Sequence, residues 1–335
     1  MRELTSARDV RGVINGKAVQ RDMPTFREVG ERSLIDTIRN IVAREGRPDD
    51  LDDDAAIIHM PKGDLVACTD ALTFERHMPE GMTYEQFGWM CAAANVSDLA
   101  SMGARPTGLL MSLNVPLDMD IRDICDIVSG IDQCAEFAET YVIGGDTKPG
   151  NGTVAVTALG TMDDRAPMTR RGARVGDLIA VTGPLGGPAA GFHALKNGID
   201  LPDSVASLVT PIPRVEEGIL LSETGLVSSC IDLSDGLSTC VNALCSTSRV
   251  GAVLEWDLLP KDPGVEVINK ELGIPEQDMV MGWGGEYELV FTFDRKDTDR
   301  LRETGVEFHI IGVITEKGCL LSRDERYEEI ENGCY

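Results

Sequence analysis

Apolar residues recur at a regular spacing only from Glu31 onward. Leu34, Ile35, Ile38, Ile41 and Val42 share one helical face, which predicts a helix ending near Gly46-Arg47-Pro48. Two short apolar runs, 55–58 and 65–68, flank Pro61-Lys62-Gly63 and predict paired strands. A long helical pattern then covers 83–102 and stops at Gly103, with Pro106 beyond it. A strand is expected over 109–115, a helix from 120 to about 139, and strands at 141–143 and 154–159. The strand at 141–143 runs into Gly144-Gly145-Asp146.

The stretch 161–176 is charged and rich in turn residues, and it marks a boundary. Beyond it strands are expected at 178–182, 227–231, 252–256, 289–293 and 308–313. Helices are expected at 188–196, 215–224, 237–247 and near 296–304. This alternation predicts two α/β layers and not a bundle or a sandwich. The expected organisation is an N-terminal extension over 1–25, a first domain over 26–162 and a second over 163–335. The extension is Arg-rich and unpatterned, reading as an arm or an added hairpin, and Met23 is an alternative start.

The hydrophobic fraction of 42% and charged fraction of 26% are those of a folded globular protein. No run approaches the roughly 18 apolar residues of a membrane span, and the first residues lack the apolar core of a secretory signal. A cytoplasmic protein with no membrane partner is therefore expected. A net charge of -25 argues against nucleic acid, because that affinity is built from Lys and Arg on phosphates. An anionic substrate would need metal ions or local basic groups to receive it. The nine cysteines form no CxxC pair and no zinc-type cluster. Cys91, Cys125 and Cys134 lie among apolar residues of helical segments and read as reduced, buried thiols.

The aspartates carry more information. Asp52, Asp53 and Asp54 precede a strand, Thr69-Asp70 ends the next, and Asp146 follows the Gly-Gly turn. Asp232, Ser234 and Asp235 sit between a strand and a helix. Singly, Asp235 could be a helix N-cap and Asp146 a turn residue. Asp98 is harder to explain that way. It lies with Asn95 and Ser97 in a helix of small apolar residues, where a carboxylate needs a partner or a metal. Acidic positions at several element ends suggest hard-cation sites built from carboxylate oxygens, with Mg²⁺ bridging substrate phosphates. There is no GxxxxGK[ST] loop and no protein-kinase motif set. The turn Thr182-Gly183-Pro184-Leu185-Gly186-Gly187 follows a strand and precedes a helix, so its amides could cradle phosphate.

Seven segments occur in a telling order: DDDAAI at 52–57, TDALTFERH at 69–77, NVSDLASMGARP at 95–106, GGDT at 144–147, TRRGARVGD at 169–177, IDLSDG at 231–236 and GGEYELVFT at 284–292. With them the chain, from about Phe26 onward, resembles the thiamine-monophosphate kinases. These belong to the PurM-like ATP-binding superfamily, with aminoimidazole ribonucleotide synthetase and selenophosphate synthetase. The resemblance implies an α/β (α+β) two-domain PurM-like fold. Its N-terminal mixed sheet would form the barrel-like core of a homodimer, and a C-terminal α/β domain would follow. It implies magnesium held by Asp54, Thr69, Asp70, Asp98, Asp146, Asp232 and Asp235, with Cys68 at a neighbouring backbone position. ATP would meet Gly145, Asp146, Arg170 and Ser234. Thiamine monophosphate would meet His77, Glu286 and an aromatic near the C-terminus, for which Tyr335 is the nearest candidate.

The implied reaction is ATP- and magnesium-dependent phosphorylation of thiamine monophosphate to thiamine diphosphate by direct in-line transfer. The acceptor oxygen is already anionic, so no protein nucleophile or general base is expected, only charge neutralisation and positioning. Three departures bear on the acceptor. The family's GGEDYEL stands here as GGEYEL, Cys334 falls where the stacking aromatic is expected, and the segment between Asp70 and His77 lacks its usual Gly. The alternatives are a related enzyme acting on another small phosphate or carboxamide, and a nucleotide-binding regulator without catalysis. Without the resemblance, His77 reads as a solvated loop residue and Arg170-Arg171 as a surface pair.

Overall fold

The computed structural model describes residues 13–14, 17–18, 56–60, 63–324 and 326–330. The helix expected over 34–42, the metal-ligand candidate Asp54, and Cys334 and Tyr335 lie outside the described residues. Contacts divide the chain into 1–51 and 52–335. In the first unit β1 (Val13–Ile14) and β2 (Lys17–Ala18) pair antiparallel.

In the second unit the expected strand pair forms β3 (Ala56–Met60) and β4 (Gly63–Thr73), in antiparallel register. Strand β4 continues well past the predicted end at residue 68 and leads into a single helical turn, α1 (Phe74–His77). The long helix is α2 (Tyr84–Met102), followed by β5 (Arg105–Val115), α3 (Ile121–Phe137), β6 (Val142–Pro149) and β7 (Thr153–Thr161). These strands make a five-stranded sheet in the order β3-β4-β7-β5-β6, antiparallel except for β5 with β6.

Helix α2 starts on a capping box. Gln86 N–H donates to Thr83 Oγ1 (3.2 Å) and Thr83 N–H donates back to Gln86 Oε1 (2.9 Å). Its small residues leave room for neighbours on every side, and Phe87, Ala92, Ala93, Val96 and Leu99 are fully buried. Side chains on β4 and β7 alternate, so Val66, Cys68, Val154, Val156 and Ala158 face this helix and join its core. Helix α3 crosses α2 at close range. A Cβ on Gly130 would stand 1.8 Å from Glu85 O, and one on Gly88 would stand 2.0 Å from Ile127 O. Gly130→Ala is expected to lower stability by about 2 kcal/mol or more, because the atoms it would strike, Glu85 O and Trp89 N, are backbone of α2. Urea denaturation measures it, and a change within about 0.5 kcal/mol, as at an ordinary surface site, would contradict the tight crossing.

The remaining strands are β8 (Leu178–Val181), β9 (Val227–Asp232), β10 (Gly251–Glu255), β11 (Leu289–Phe293), β12 (His309–Thr315), β13 (Cys319–Arg323) and β14 (Arg326–Glu329). They form a seven-stranded sheet in the order β14-β13-β10-β12-β8-β11-β9, antiparallel except for β10 with β13. Its helices are α4 (Gly187–Asn197), α5 (Pro202–Val209), α6 (Val215–Thr224), α7 (Leu237–Ser248), α8 (Pro263–Leu272) and α9 (Thr298–Arg302). Helix α6 lies on α2, where a Cβ on Gly218 would come 2.1 Å from Ala100 O. Strand β9 also touches α2, so the long helix is shared by elements of both sheets.

Helices α5 and α8, and strands β13 and β14, were not expected from the sequence pattern. Both helices carry Pro in the first turn, a start signal that short length had hidden. Among the described residues no helix is long and apolar enough to cross a membrane.

Candidate active site

The alternation of β4 places Cys68 and Asp70 on the side facing α2, and Asn95 of α2 fixes them there. Asp70 N–H donates to Asn95 Oδ1 (2.8 Å), Asn95 Nδ2 donates to Cys91 O (3.0 Å) and the Cys68 thiol donates to Asn95 O (3.2 Å). One turn along the same face stands Asp98, within hydrogen-bond reach of the Cys68 thiol. Ser97 donates to Asp232 Oδ2 (2.8 Å) at the end of β9. One turn of α2 thus ties the last part of β4 to the end of β9.

Four carboxylates converge on this turn. Burial, followed by the charges of Asp232 and Asp70, holds Asp98 well above the usual carboxylate range, with Asp235 adding to the effect. Burial also pushes Asp232 up to about 6, against the Ser97 hydrogen bond and the positive charge of Arg170, while Asp235 and Asp70 raise it further. Such crowding is costly unless cations neutralise it. A hard divalent ion fits the oxygen donors present. Among the described residues no three His, Cys, Asp or Glu are placed to hold one ion by themselves. Mg²⁺ keeps waters and takes one or two carboxylates alongside phosphate oxygens, so such an ion would not need three.

Two predicted metal residues stand elsewhere. Thr69 is on the opposite face of β4, where its hydroxyl donates to Val156 O (3.0 Å) and accepts from Thr157 (2.9 Å). Asp146 is not in a turn, because β6 runs on through it to Pro149. The register pairs it with Ser112, while Gly145 is level with Met111, Val156 and Asp70. Gly145 is therefore three strand spacings, roughly 14 Å, from Asp70. Asp146 shares the face of Thr69. Its carboxylate bonds Lys148 Nζ (2.7 Å), which together with the Thr147 N–H holds it below the usual range. Gly145 and Asp146 are both exposed.

Asp235 is not an N-cap either. Gly236 holds that position with no side-chain cap, leaving the exposed Asp235 carboxylate free of any capping role. The loop 232–236 is zipped along the 284–288 segment. Gly285 N–H donates to Ser234 O (2.9 Å), Tyr287 N–H to Leu233 O (3.0 Å) and Leu233 N–H to Glu288 O (2.8 Å). Such close approach needs Gly284, whose φ is +92° and whose Cβ would stand 2.3 Å from Ser234 O. Tyr287 also adopts a left-handed φ of 53°, rare for an aromatic residue. Arg170 acts on Asp232 from the segment before β8, and its carbonyl accepts from Ser248 Oγ (3.2 Å). His77 ends α1, half-buried, with Nδ1 taking the Thr73 N–H (3.0 Å).

The two glutamates of GGEYEL have different fates. Glu288 is saturated: Arg214 Nε and Nη2 donate to its two oxygens (2.8 and 2.6 Å), and Thr182 Oγ1 adds a third bond (2.5 Å). Glu286 Oε1 accepts Gly186 N–H (2.9 Å), and its buried Oε2 has no hydrogen-bond partner. Burial pushes Glu286 up to about 8; the Gly186 N–H and its own backbone N–H oppose this, and Glu288 adds to it. The Gly186 amide is therefore turned to a carboxylate, and the glycine-rich turn at 182–187 is no phosphate cradle at that position. Glu286, Glu288 and Arg214 line a cleft of about 330 Å³ with Pro188, Ser207 and Ile212. Sequence reasoning missed Arg214 and the thiol of Cys68. Their only signals were an Arg following Pro211-Ile212-Pro213 and a Cys at an inward strand position.

Residues 52–162 match the family profile described as AIR synthase related protein, N-terminal domain, and residues 174–320 match the corresponding C-terminal domain. Thiamine-monophosphate kinase of Methanopyrus kandleri is 33% identical over 306 residues, covering 90% of this chain and 95% of that protein. The enzyme of that name from Synechococcus elongatus is 34% identical over 308 residues, covering 87% and 90%. Among solved structures, AaThiL complexed with AMPPCP and TMP superposes with a TM-score of 0.82 at 24% identity, covering 92% of this chain and 97% of that one, a likeness of fold. The chain belongs to the AIR synthase related family and, within it, to the thiamine-monophosphate kinases.

Proposed function

We propose that this protein transfers the γ-phosphoryl group of ATP, with Mg²⁺, to the phosphate of thiamine monophosphate, giving thiamine diphosphate and ADP. The observation that carries the reading is the convergence of Asp70, Asp98, Asp232 and Asp235 around one turn of α2. Family membership supplies the acceptor, since the named relatives are thiamine-monophosphate kinases. Asp70, Asp98, Asp232 and Asp235 would hold Mg²⁺, joined by Asp54, and the ions would neutralise the two phosphate chains and keep them in line. Thr69 and Asp146, on the other face, would serve separate ions. Gly145, Asp146, Arg170 and Ser234 would contact ATP, Arg170 with its positive charge beside Asp232.

An oxygen of the acceptor phosphate forms the new bond to the γ-phosphorus as the bond to the β-bridging oxygen breaks. No proton has to be removed from that oxygen at neutral pH, which fits a site rich in carboxylates. The acceptor's rings would enter the cleft lined by Glu286, whose unpartnered Oε2 would offer a proton to a ring nitrogen or accept from an amino group. His77 and Tyr335 would complete the acceptor site. The organisation follows as an N-terminal extension over 1–25, an ATP- and metal-binding domain over 26–162 and a C-terminal domain over 163–335, in a cytoplasmic enzyme.

ADP release by the purified protein with MgATP tests this reading. Release that depends on thiamine monophosphate and yields thiamine diphosphate is expected, with none on thiamine. An active-site preparation that binds MgATP yet stays silent with the monophosphate would overturn the acceptor assignment. The shortened GGEYEL motif favours another small phosphate in that case.

A homodimer belongs to the same proposal. The face of the five-stranded sheet turned away from α2 carries the exposed Leu110 (39%), and Tyr141 (64%) and Ile143 (45%) lie at the edge strand beside it. A second copy would cover this apolar surface. Leu110→Asp is expected to shift the protein from dimer to monomer in sedimentation velocity, whereas an unchanged dimer would place the interface elsewhere.

A further inference from the structure

Helix α7 starts directly after the Asp232–Asp235 loop and ends at Ser248. Near that far end Cys245, 3% exposed, faces the core of the seven-stranded sheet. Cys319 opens β13, is half-buried and packs against the same core. The Cys245 thiol is within hydrogen-bond reach of the Cys319 sulfur, and helix α7 touches strand β13. The backbone on both sides is pinned. Val250 N–H donates to Cys245 O (3.0 Å), and two residues later Ala252 is the register partner of Cys319 in the parallel β10–β13 pair. Ala252 N–H donates to Gly318 O (2.8 Å). Two thiols from segments distant in sequence are therefore brought together on a pinned backbone, and one of them is only half-buried.

We propose that Cys245 and Cys319 form a reversible disulfide on exposure to hydrogen peroxide, covalently tying α7 to β13. The hydrogen bond from Cys245 holds the Cys319 thiol below its usual range against the effect of burial, so the more exposed sulfur is also the more readily ionised one. The Cys319 thiolate attacks one peroxide oxygen. A sulfur–oxygen bond forms, the oxygen–oxygen bond breaks, and hydroxide leaves to become water. The Cys245 sulfur then attacks the Cys319 sulfenic sulfur, a sulfur–sulfur bond forms, and the sulfur–oxygen bond breaks. A second water leaves with the Cys245 proton. Two thiols lose two electrons in all, and one peroxide becomes two waters.

The bond would anchor a helix that bears on the site from both ends. Its first residues follow Asp235. Ser248 accepts from Gly172 N–H (3.1 Å) and Ala173 N–H (3.2 Å) while donating to Arg170 O.

The test uses the full-length protein carrying Cys125→Ser, which removes an exposed competing thiol on α3. After peroxide treatment, digestion without reductant and mass spectrometry are expected to find a peptide joining Cys245 to Cys319, two hydrogens lighter and split by dithiothreitol. Adding Cys319→Ser is expected to abolish it. Alkylation of the reduced, unsubstituted chain gives a second readout that needs no variant: peroxide should protect Cys245 and Cys319 together and in equal proportion. Sulfinic or sulfonic acid at Cys319 with Cys245 still alkylated, or a bond joining other cysteines, would overturn the proposal.

Discussion

Asp98→Asn is expected to abolish measurable turnover while the fold persists. Asparagine keeps the size of the side chain and can still meet the Cys68 thiol, but it removes one negative charge from the centre of the carboxylate group. Metal-held charge stabilisation of several kcal/mol at a phosphoryl-transfer site corresponds to a loss of roughly a thousandfold or more. The effect on stability has the opposite sign. In the absence of cations Asp98 is burdened by burial and by Asp232, Asp70 and Asp235, so the variant should unfold at an equal or higher temperature than the parent. Calorimetry without metal, beside ADP release with MgATP, reads both. Activity within about tenfold of the parent, a deficit of only about 1.4 kcal/mol, would remove Asp98 from the metal assignment. Unfolding at a lower temperature would mean that its carboxylate is structural.

Glu286→Gln is the second large expectation, and its sign depends on pH. The folded chain keeps the Glu286 proton to about pH 8, whereas the unfolded chain releases it near 4.5, as an ordinary glutamate does. Between those values the folded state binds the extra proton, so stability falls as pH rises, by at most about 1.4 kcal/mol per unit, and levels off above pH 8. Glutamine does not titrate and can satisfy Gly186 N–H through its carbonyl. The variant should therefore be more stable than the parent at pH 8 to 9, nearly equal below pH 4.5, and flatter between. Denaturation midpoints across this range measure it. Parallel curves for the two proteins would show that Glu286 ionises normally. In the kinetic assay, if Glu286 holds the acceptor as proposed, the same variant is expected to raise KM for the acceptor more than it lowers kcat.

Much of the fold was legible along the chain. Where apolar spacing ran long, as in 83–102, or where a strand was bounded by clear turns, as in 154–159, pattern and element agree to within a residue or two. The short helices Pro202–Val209 and Pro263–Leu272 were hidden because two to three turns give periodicity little room to appear. The continuation of β6 through Gly144, Gly145 and Asp146 was hidden for another reason. Glycines favour a turn locally, and only pairing with β5 holds them extended.

By itself the sequence determined the α/β alternation, the acidic character of the site and the set of motifs that place the chain in its family. It also put Asn95, Ser97 and Asp98 on one turn of helix, because spacing within a helix is fixed by the backbone. Tertiary structure alone decided which carboxylates meet. Asp70, Asp98, Asp232 and Asp235 converge because α2 is shared by β4 and β9, whereas Thr69 and Asp146 fall on the other side of the sheet. It also decided between two glutamates that look alike in sequence. Arg214 and Thr182 saturate Glu288 and leave an oxygen of Glu286 open, and a partner that distant is chosen by packing, on which local pattern is silent.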